Sequence, residues 1–250
     1  MSADLLIRNA TVYDGLGGEP FEANVAVEGT RITAVGEAVP AYREIDAGGI
    51  ALAPGFIDTH SHDDGAFLRH PDMAFKLAQG VTTVVAGNCG FSAIPADPST
   101  DPNVASGGIL AGLNDAKFTD LEGYFDAVIA RKPAINNMML VGHNTIRSIT
   151  MGLEPKAPTT HQLGLMRGHV ERAMEQGACG FSTGLIYRPG RYSNTDEVIE
   201  LTRSVTDYDG LYATHMRNEG EGLLEAIEET LTIGREADVH AHISHHKAAG

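Results

Sequence analysis

From Pro54-Gly55 onward, the sequence alternates between short apolar runs and segments with helical periodicity. A typical helical segment is Gln162–Gln176, in which apolar residues recur at helical spacing and a glycine follows directly. Strands that alternate with helices form parallel sheets covered by helices, so the sequence predicts an α/β fold. The predicted buried strands are Phe56–His62, Val81–Gly87, Asn137–Gly142, Ala178–Thr183, Leu211–His215 and Val239–His245.

Two architectures contain such a sheet, the open doubly wound sheet and the (β/α)8 TIM-like barrel. An open sheet that binds a dinucleotide has a glycine fingerprint after its first strand, whereas here the first strand ends in His60-Ser61-His62. This favours the barrel, whose active site lies at the carboxyl ends of the strands. About six βα units fit into residues 55–250, so the predicted barrel is incomplete. Closing it would take roughly 60 to 100 further residues, and we therefore expect a longer protein.

Residues 1–54 have a different pattern, with short β-prone runs separated by glycine-rich turns. Glu28-Gly29-Thr30-Arg31 is predicted to be the turn of a hairpin. We therefore predict two domains, an N-terminal β-strand segment over 1–54 and the barrel units over 55–250. Residues 93–118 are rich in Pro, Asp, Ser and Gly, which predicts a long surface loop.

The composition narrows the class of partner. The chain of 250 residues carries 18 Lys and Arg against 33 Asp and Glu, a net charge of −15, which disfavours binding to nucleic acid. No apolar run approaches the roughly 20 residues that span a bilayer, and the first residues lack the pattern of a secretory signal. The chain has two cysteines, too few for a disulfide framework, so we expect a reducing, cytoplasmic location.

The ends of four predicted strands carry nitrogen or sulfur side chains that bind metals. His60 and His62 share one face of a strand if the alternation of side chains holds. The carboxyl ends of parallel strands meet at one edge of the sheet, so these side chains are expected to converge. The ligand set suits Zn²⁺ and consists of His60, His62, Cys89, His215 and His245.

The same motifs carry a family resemblance. The segment 54–62, Pro-Gly-Phe-Ile-Asp-Thr-His-Ser-His, resembles the first-strand signature of the amidohydrolase superfamily. Further motifs resemble those of the D-aminoacylases, which are N-acyl-D-amino-acid deacylases, and the most specific of them is Asn88-Cys89-Gly90. The other motifs are Gln79–Val85, Gly142-His143-Asn144, Gly184–Tyr187, Thr214–Arg217 and Ser244–Lys247.

The resemblance implies a metal-dependent barrel flanked by a small β-sandwich, to which the N-terminal segment contributes. It also implies a tighter zinc site at Cys89, His215 and His245. A second, weaker site would be formed by His60 and His62, with Cys89 shared between the two sites.

The implied reaction is hydrolysis of the amide bond of an N-acyl-D-amino acid, a small-molecule substrate. Lys247 and Tyr187 match residues that hold the substrate carboxylate. His143, at the end of the third strand, is a candidate for lining the pocket, with a structural hydrogen bond as the alternative. The family's general base is an aspartate at the end of the eighth strand. That aspartate is expected beyond residue 250, so the 250 residues alone are expected to have weak activity or none.

Two alternatives remain open. A cyclic-amide hydrolase of the dihydroorotase or hydantoinase type has a carboxylated lysine on the fourth barrel strand, and no lysine occurs in Ala178–Thr183. A non-catalytic metal-binding module would have the ligands without turnover. The preferred D-amino-acid side chain, whether neutral, D-aspartyl or D-glutamyl, is also left open.

Overall fold

The computed structural model describes residues 2–96 and 117–249. Contacts between Cα atoms divide the chain into two compact units, Met1–Phe56 and Ile57–Gly250. Most of the loop predicted over 93–118 lies outside the described residues. Within the described ranges, no helix is both long enough and apolar enough to cross a membrane.

The first unit is a single five-stranded sheet. Its strands are β1 (Ala3–Val12), β2 (Phe21–Glu28), β3 (Arg31–Gly36), β4 (Ala41–Asp46) and β5 (Ala51–Leu52). The order is β3-β2-β1-β4, and β5 pairs with β1. The predicted hairpin turn is confirmed, because β2 and β3 pair antiparallel with Glu28 opposite Arg31. Ala10 and Val25 are buried on one face of this sheet.

The second unit contains a six-stranded sheet whose order follows the chain. Its strands are β6 (Phe56–Asp58), β7 (Val81–Ala86), β8 (Asn136–Gly142), β9 (Gly180–Gly184), β10 (Leu211–His215) and β11 (His240–Ile243). The pairs from β7 to β11 are parallel. The prediction of a parallel α/β sheet is therefore confirmed, and the sheet is a curled half-barrel.

Helices connect the strands and bury apolar side chains against them. They are α1 (Ala66–Arg69), α2 (Ala74–Leu77), α3 (Leu121–Ala130), α4 (His143–Met151), α5 (Thr160–Glu175), α6 (Thr195–Thr202) and α7 (Leu223–Ala237). Helix α5 begins at a capping box, in which the Thr159 hydroxyl accepts from the backbone of Gln162. Met166 and Val170 of this helix belong to the same buried cluster as Phe181 in β9. This core fixes the carboxyl ends of the strands relative to one another.

The first barrel strand is shorter than predicted. The sequence pattern predicts a strand over Phe56–His62, but β6 ends at Asp58, because local side chains take over the backbone hydrogen bonds. Asp58 Oδ1 accepts from the backbone N–H of His60 at 3.2 Å, and the Ser61 hydroxyl accepts from that of Asp63 at 3.0 Å. His60 and His62 therefore lie in an irregular segment, and strand alternation does not set their orientation.

Candidate metal centre

The thiol of Cys89 lies at the centre of three imidazoles. Its Sγ atom is 3.4 Å from His60 Nε2, 3.6 Å from His215 Nδ1 and 3.5 Å from His245 Nε2. His215 is the last residue of β10, and the other three follow β6, β7 and β11, so four strands contribute to one cluster. The structure thus brings together four of the five side chains that the sequence selects as metal ligands.

The spacing of these atoms fits a zinc ion. Zinc–sulfur bonds of about 2.3 Å and zinc–nitrogen bonds of about 2.0 Å at tetrahedral angles place sulfur and nitrogen about 3.5 Å apart. Each sulfur–nitrogen distance around Cys89 is close to that value. The ligand atoms of His60, Cys89 and His245 also lie within 4.8 Å of one another. Donor chemistry and donor spacing therefore agree on a metal site at this edge of the sheet.

His62 lies at the border of the cluster. Its ring centroid is 5.5 Å from that of His60, with the two rings nearly perpendicular. The ring of His60 in turn lies 4.4 Å from that of His245. His62 is thus next to the Cys89 cluster on the His60 side.

The protonation states of these groups suit a cation. Burial, together with the neighbouring imidazoles, lowers the pKa of His60 to about 4. Burial also lowers the pKa of His215 to about 4 and that of His245 below its usual value. The imidazoles are therefore neutral at pH 7 and can donate a lone pair. Burial raises the pKa of the Cys89 thiol to about 12, so a nearby positive charge is needed to form the thiolate.

Cys89 adopts a backbone conformation that is rare for a residue with a side chain. Its φ is +54°, in a turn where Gly87 and Gly90 also have positive φ. The hydroxyl of Ser182 spans this turn, accepting from the N–H of Gly90 at 3.0 Å and donating to the carbonyl of Gly87. A Cβ on Gly184 would lie 2.1 Å from the carbonyl oxygen of Cys89. The turn thus fits closely against β9.

Asp64 connects the segment that carries the first histidines to the Cys89 turn. Its carboxylate is fully buried and accepts from the backbone N–H groups of Gly87 at 3.3 Å and Ala93 at 2.8 Å. Burial raises the pKa of Asp64 to about 6. The position of Asp64, two residues after His62, gives no hint of this role, because its partners are backbone groups that follow another strand.

Tyr187 and Lys247 approach the cluster from the loops after β9 and β11. The Tyr187 hydroxyl lies 3.4 Å from His215 Nδ1, and the two rings are 4.8 Å apart. The Lys247 side chain is 54% exposed, and its ammonium lies 3.1 Å from Glu219 Oε2. A phenol hydroxyl and an exposed ammonium beside a metal centre can bind an anionic group.

His143 is not part of this cluster. Its side chain is fully buried at the start of α4, and its Nε2 lies 2.9 Å from Glu197 Oε1 in α6. Arg147 NH1 approaches the same carboxylate oxygen at 3.5 Å. His143 belongs to a buried polar network between two helices, so we leave it out of the groups that can reach a substrate.

Glu219 is the neighbour of the cluster that sequence reasoning missed. Its Oε1 lies 3.2 Å from His215 Nε2, on the opposite side of the ring from Cys89. An acidic residue in a chain with 33 Asp and Glu gives little signal. The sequence feature that could have indicated Glu219 is its position four residues after His215. Loop residues that follow a strand end at this distance can fold back toward the site.

Comparisons with known proteins find relatives over nearly the whole chain. A family model described as amidohydrolase family matches residues 43–249. A D-aminoacylase from Alcaligenes xylosoxydans xylosoxydans is 43% identical over 249 residues, which is 99% of this chain and 51% of the relative. An N-acyl-D-aspartate deacylase from the same organism is 41% identical over 251 residues, covering 99% of this chain and 50% of the relative.

Among solved structures, this chain is similar to the N-acyl-D-glutamate deacylase from Bordetella bronchiseptica. That protein was crystallised with zinc and a phosphonate inhibitor that mimics the tetrahedral intermediate. The TM-score is 0.91 at 41% identity, over 99% of this chain and 52% of that chain. The chain thus shares the fold of the half of this structure that it covers, and it spans about half the length of the curated relatives it matches.

Proposed function

The chain belongs to the amidohydrolase family, and from that premise we propose that it forms the metal-binding part of a hydrolase for N-acyl-D-amino acids. The products would be a D-amino acid and a carboxylate. The observation that carries the proposal is the sulfur atom of Cys89, surrounded at 3.4 to 3.6 Å by three imidazole nitrogens from separate strand ends. The similarity to deacylases for N-acyl-D-aspartate and N-acyl-D-glutamate supports the substrate class.

Within the cluster, we assign a tighter zinc site to Cys89, His215 and His245. His60 and His62 would form a weaker second site, with Cys89 shared. The central position of Cys89 supports a shared ligand, and the position of His62 beside His60 alone supports the weaker site. When bound, zinc supplies Lewis-acid activation of water and of the acyl carbonyl at neutral pH.

The residues of the chain would bind and orient the substrate. The Lys247 ammonium would attract the α-carboxylate, and the Tyr187 hydroxyl would donate a hydrogen bond to it. Two such contacts on one side of the α-carbon fix the direction of the acyl group, which is the geometric basis for selecting one enantiomer. The exposure of Lys247 and the proximity of Tyr187 to His215 support these roles.

Hydrolysis also needs a group that accepts the proton of the attacking water and passes it to the leaving nitrogen. We place that general base, an aspartate, beyond residue 250. The chain itself would then provide metal binding and substrate recognition. The N-terminal sheet would contribute one layer of a small β-sandwich.

The cyclic-amide alternative is less well supported. The hydantoinase-type centre needs a carboxylated lysine on the fourth barrel strand. Strand β9, which has that place in the sheet, reads Gly-Phe-Ser-Thr-Gly and contains no lysine. Cys89 offers a sulfur ligand in its place.

A chiral assay of the complete purified protein tests the proposal. Zinc-loaded protein is given the N-acetyl-D and N-acetyl-L forms of leucine, aspartate and glutamate, with dihydroorotate and hydantoin as cyclic substrates. We expect turnover in the D series, and we expect it to be lost in Cys89→Ser and retained in Cys179→Ser. Hydrolysis of L forms alone or of the cyclic amides would refute the assignment. Stoichiometric zinc with no turnover of any substrate would favour a non-catalytic metal-binding protein.

A further inference from the structure

Glu219 directs its two carboxylate oxygens at two different functional groups. Oε1 lies 3.2 Å from His215 Nε2, and Oε2 lies 3.1 Å from Lys247 Nζ. The side chain is only 11% exposed, in the loop between β10 and α7. A carboxylate buried to this extent needs positive or hydrogen-donating partners, and these two groups provide them.

The first contact acts on the tautomer of His215. A neutral imidazole carries its proton on one nitrogen and a lone pair on the other. A carboxylate beside Nε2 favours the proton there, which leaves the lone pair on Nδ1, the atom that faces Cys89 Sγ at 3.6 Å. Neither His215 Nε2 nor Glu219 Oε1 makes a hydrogen bond among the described residues, so no other group competes for the 3.2 Å ion-pair contact between these two atoms.

The second contact, between Glu219 Oε2 and Lys247 Nζ, restricts the position of the Lys247 side chain. The backbone N–H of Ala249 donates to the carbonyl of Glu219 at 2.7 Å, so the loop after β11 is attached to the loop after β10. The ion pair adds a side-chain link between the same loops. A free lysine samples many rotamers, whereas this one has a fixed anion on one side and N–H donors left for a second anion.

We propose that Glu219 is a positioning residue that sets His215 for the metal and Lys247 for the substrate carboxylate through the two oxygens of one side chain. The Lys247 half of this inference rests on the proposed function, whereas the His215 half depends only on metal binding. One carboxylate thereby links the metal site to the anion site. A carboxylate that only balanced the charge of Lys247 would have no effect on the metal.

The test compares three variants of the complete purified protein. Glu219→Ala removes both contacts. Glu219→Gln keeps the size of the side chain, but its amide can accept a hydrogen bond on one side only. Glu221→Ala is the matched control, because Glu221 is an exposed carboxylate in the same loop.

Zinc affinity is measured by competition with a chromophoric chelator, and the geometry of the site by the visible spectrum of the Co²⁺-substituted protein. We expect Glu219→Ala to weaken zinc binding about 10- to 100-fold, the usual effect of removing the partner of a ligating histidine. At saturating zinc, we expect its KM for the N-acyl-D-amino acid to rise about 10-fold with a much smaller change in kcat, because binding of the carboxylate is weakened.

Compared with Glu219→Ala, the Glu219→Gln variant should regain the wild-type zinc affinity or the wild-type KM, but not both. The proposal would be overturned if the zinc affinity and the KM of Glu219→Ala stayed within about twofold of the wild type. Recovery of both zinc affinity and KM in Glu219→Gln would overturn it as well. If the wild-type protein hydrolyses no N-acyl-D-amino acid, the proposed function fails, but the zinc measurements still test the contact with His215. If Glu219→Ala does not fold, the comparison of Glu219→Gln with the wild type decides: loss of zinc affinity or a rise in KM supports the proposal, and wild-type values of both overturn it.

Discussion

The hydroxyl of Ser182 in β9 lies 3.0 Å from the backbone nitrogen of Gly90, and this contact holds the turn that presents Cys89. The same hydroxyl donates to the carbonyl of Gly87, so one side chain secures both ends of the turn. A residue with a side chain at positive φ costs roughly 1–3 kcal/mol, and its surroundings must hold it there. Ser182 in β9 provides part of the support that keeps Cys89 at positive φ.

Replacing Ser182 with alanine is therefore expected to affect both stability and metal binding. The change leaves the N–H of Gly90 and the carbonyl of Gly87 without their partner in a buried place, at a cost of about 1–3 kcal/mol. Urea unfolding and chelator competition measure the two effects. Ser204→Ala, at a half-buried position in the 3₁₀ segment after α6, is the control. Unchanged zinc affinity in Ser182→Ala would show that the turn keeps its shape without the hydroxyl.

Replacement of two glycines by alanine is expected to change the free energy of unfolding in opposite directions. A Cβ on Gly184 would lie 2.1 Å from the carbonyl oxygen of Cys89, whereas a Cβ on Gly168 in α5 would have no heavy atom of the described residues within 4 Å beyond its own helix backbone. Gly184→Ala should displace the Cys89 turn, lower the unfolding free energy by about 1–3 kcal/mol or more, and weaken zinc binding. Gly168→Ala should raise the unfolding free energy by about 0.5–1 kcal/mol, because alanine favours the helix. Thermal unfolding with and without zinc measures both, and equal effects of the two changes would contradict this packing.

The approach of Cys89 to His215 and His245 could be anticipated from the sequence, because a strand–helix alternation predicts parallel strands whose carboxyl ends share one edge. What the alternation could not give is the orientation of His60 and His62, since β6 ends at Asp58. Local side-chain hydrogen bonds decided that boundary, and strand periodicity does not describe them.

Contacts between segments far apart in the sequence were also beyond sequence reasoning. His143 follows β8 at the edge where the other histidines meet, yet its ring is buried against Glu197, 54 residues further along the chain. The direction of a side chain at a strand end depends on the next helix, here α4, whose first residue is His143 itself. Glu219 was missed for the related reason that a loop determines its place.

Lys76 lies between two carboxylates that flank the first histidines. Its Nζ is 2.6 Å from Asp58 Oδ2 and 2.9 Å from Asp63 Oδ2. Lys76→Met should loosen the segment that carries His60 and His62, and thereby lower the affinity for a second equivalent of zinc more than for the first. Isothermal titration calorimetry with zinc measures the affinity of each of the two equivalents. Lys156→Met, at an exposed position, is the control. Equal weakening of both equivalents would contradict a role confined to the second site.

The buried pair of His143 and Glu197 predicts an effect on stability that is separate from metal binding. His143→Ala leaves the Glu197 carboxylate without its closest partner, which should lower the unfolding free energy by about 1–3 kcal/mol. Zinc affinity and KM should stay within about twofold of the wild type, because the imidazole lies outside the cluster. A selective rise in KM without loss of stability would return His143 to the substrate-binding residues.

The protonation states of the cluster predict how zinc binding depends on pH. With pKa values lowered to about 4, the imidazoles of His60 and His215 carry no proton at pH 7 that zinc would displace. The Cys89 thiol, with its pKa raised to about 12, must lose its proton when it becomes a ligand. Binding therefore releases about one proton below the pH near 7 at which a zinc-bound water would ionise, and affinity should rise about tenfold per pH unit between roughly pH 5 and pH 7.

Calorimetry in buffers of different ionisation enthalpy measures the released proton directly. Cys89→Ser should bind zinc more weakly, release almost no proton and show a nearly flat dependence on pH, because a hydroxyl keeps its proton. Cys179→Ser should behave like the wild type, since the Cys179 thiol donates to the carbonyl of Met139 at 3.3 Å and has no place in the cluster. Release of two or more protons at pH 6, where a zinc-bound water would keep its proton, would mean that imidazoles are protonated before zinc binds, contrary to the lowering of their pKa values by burial.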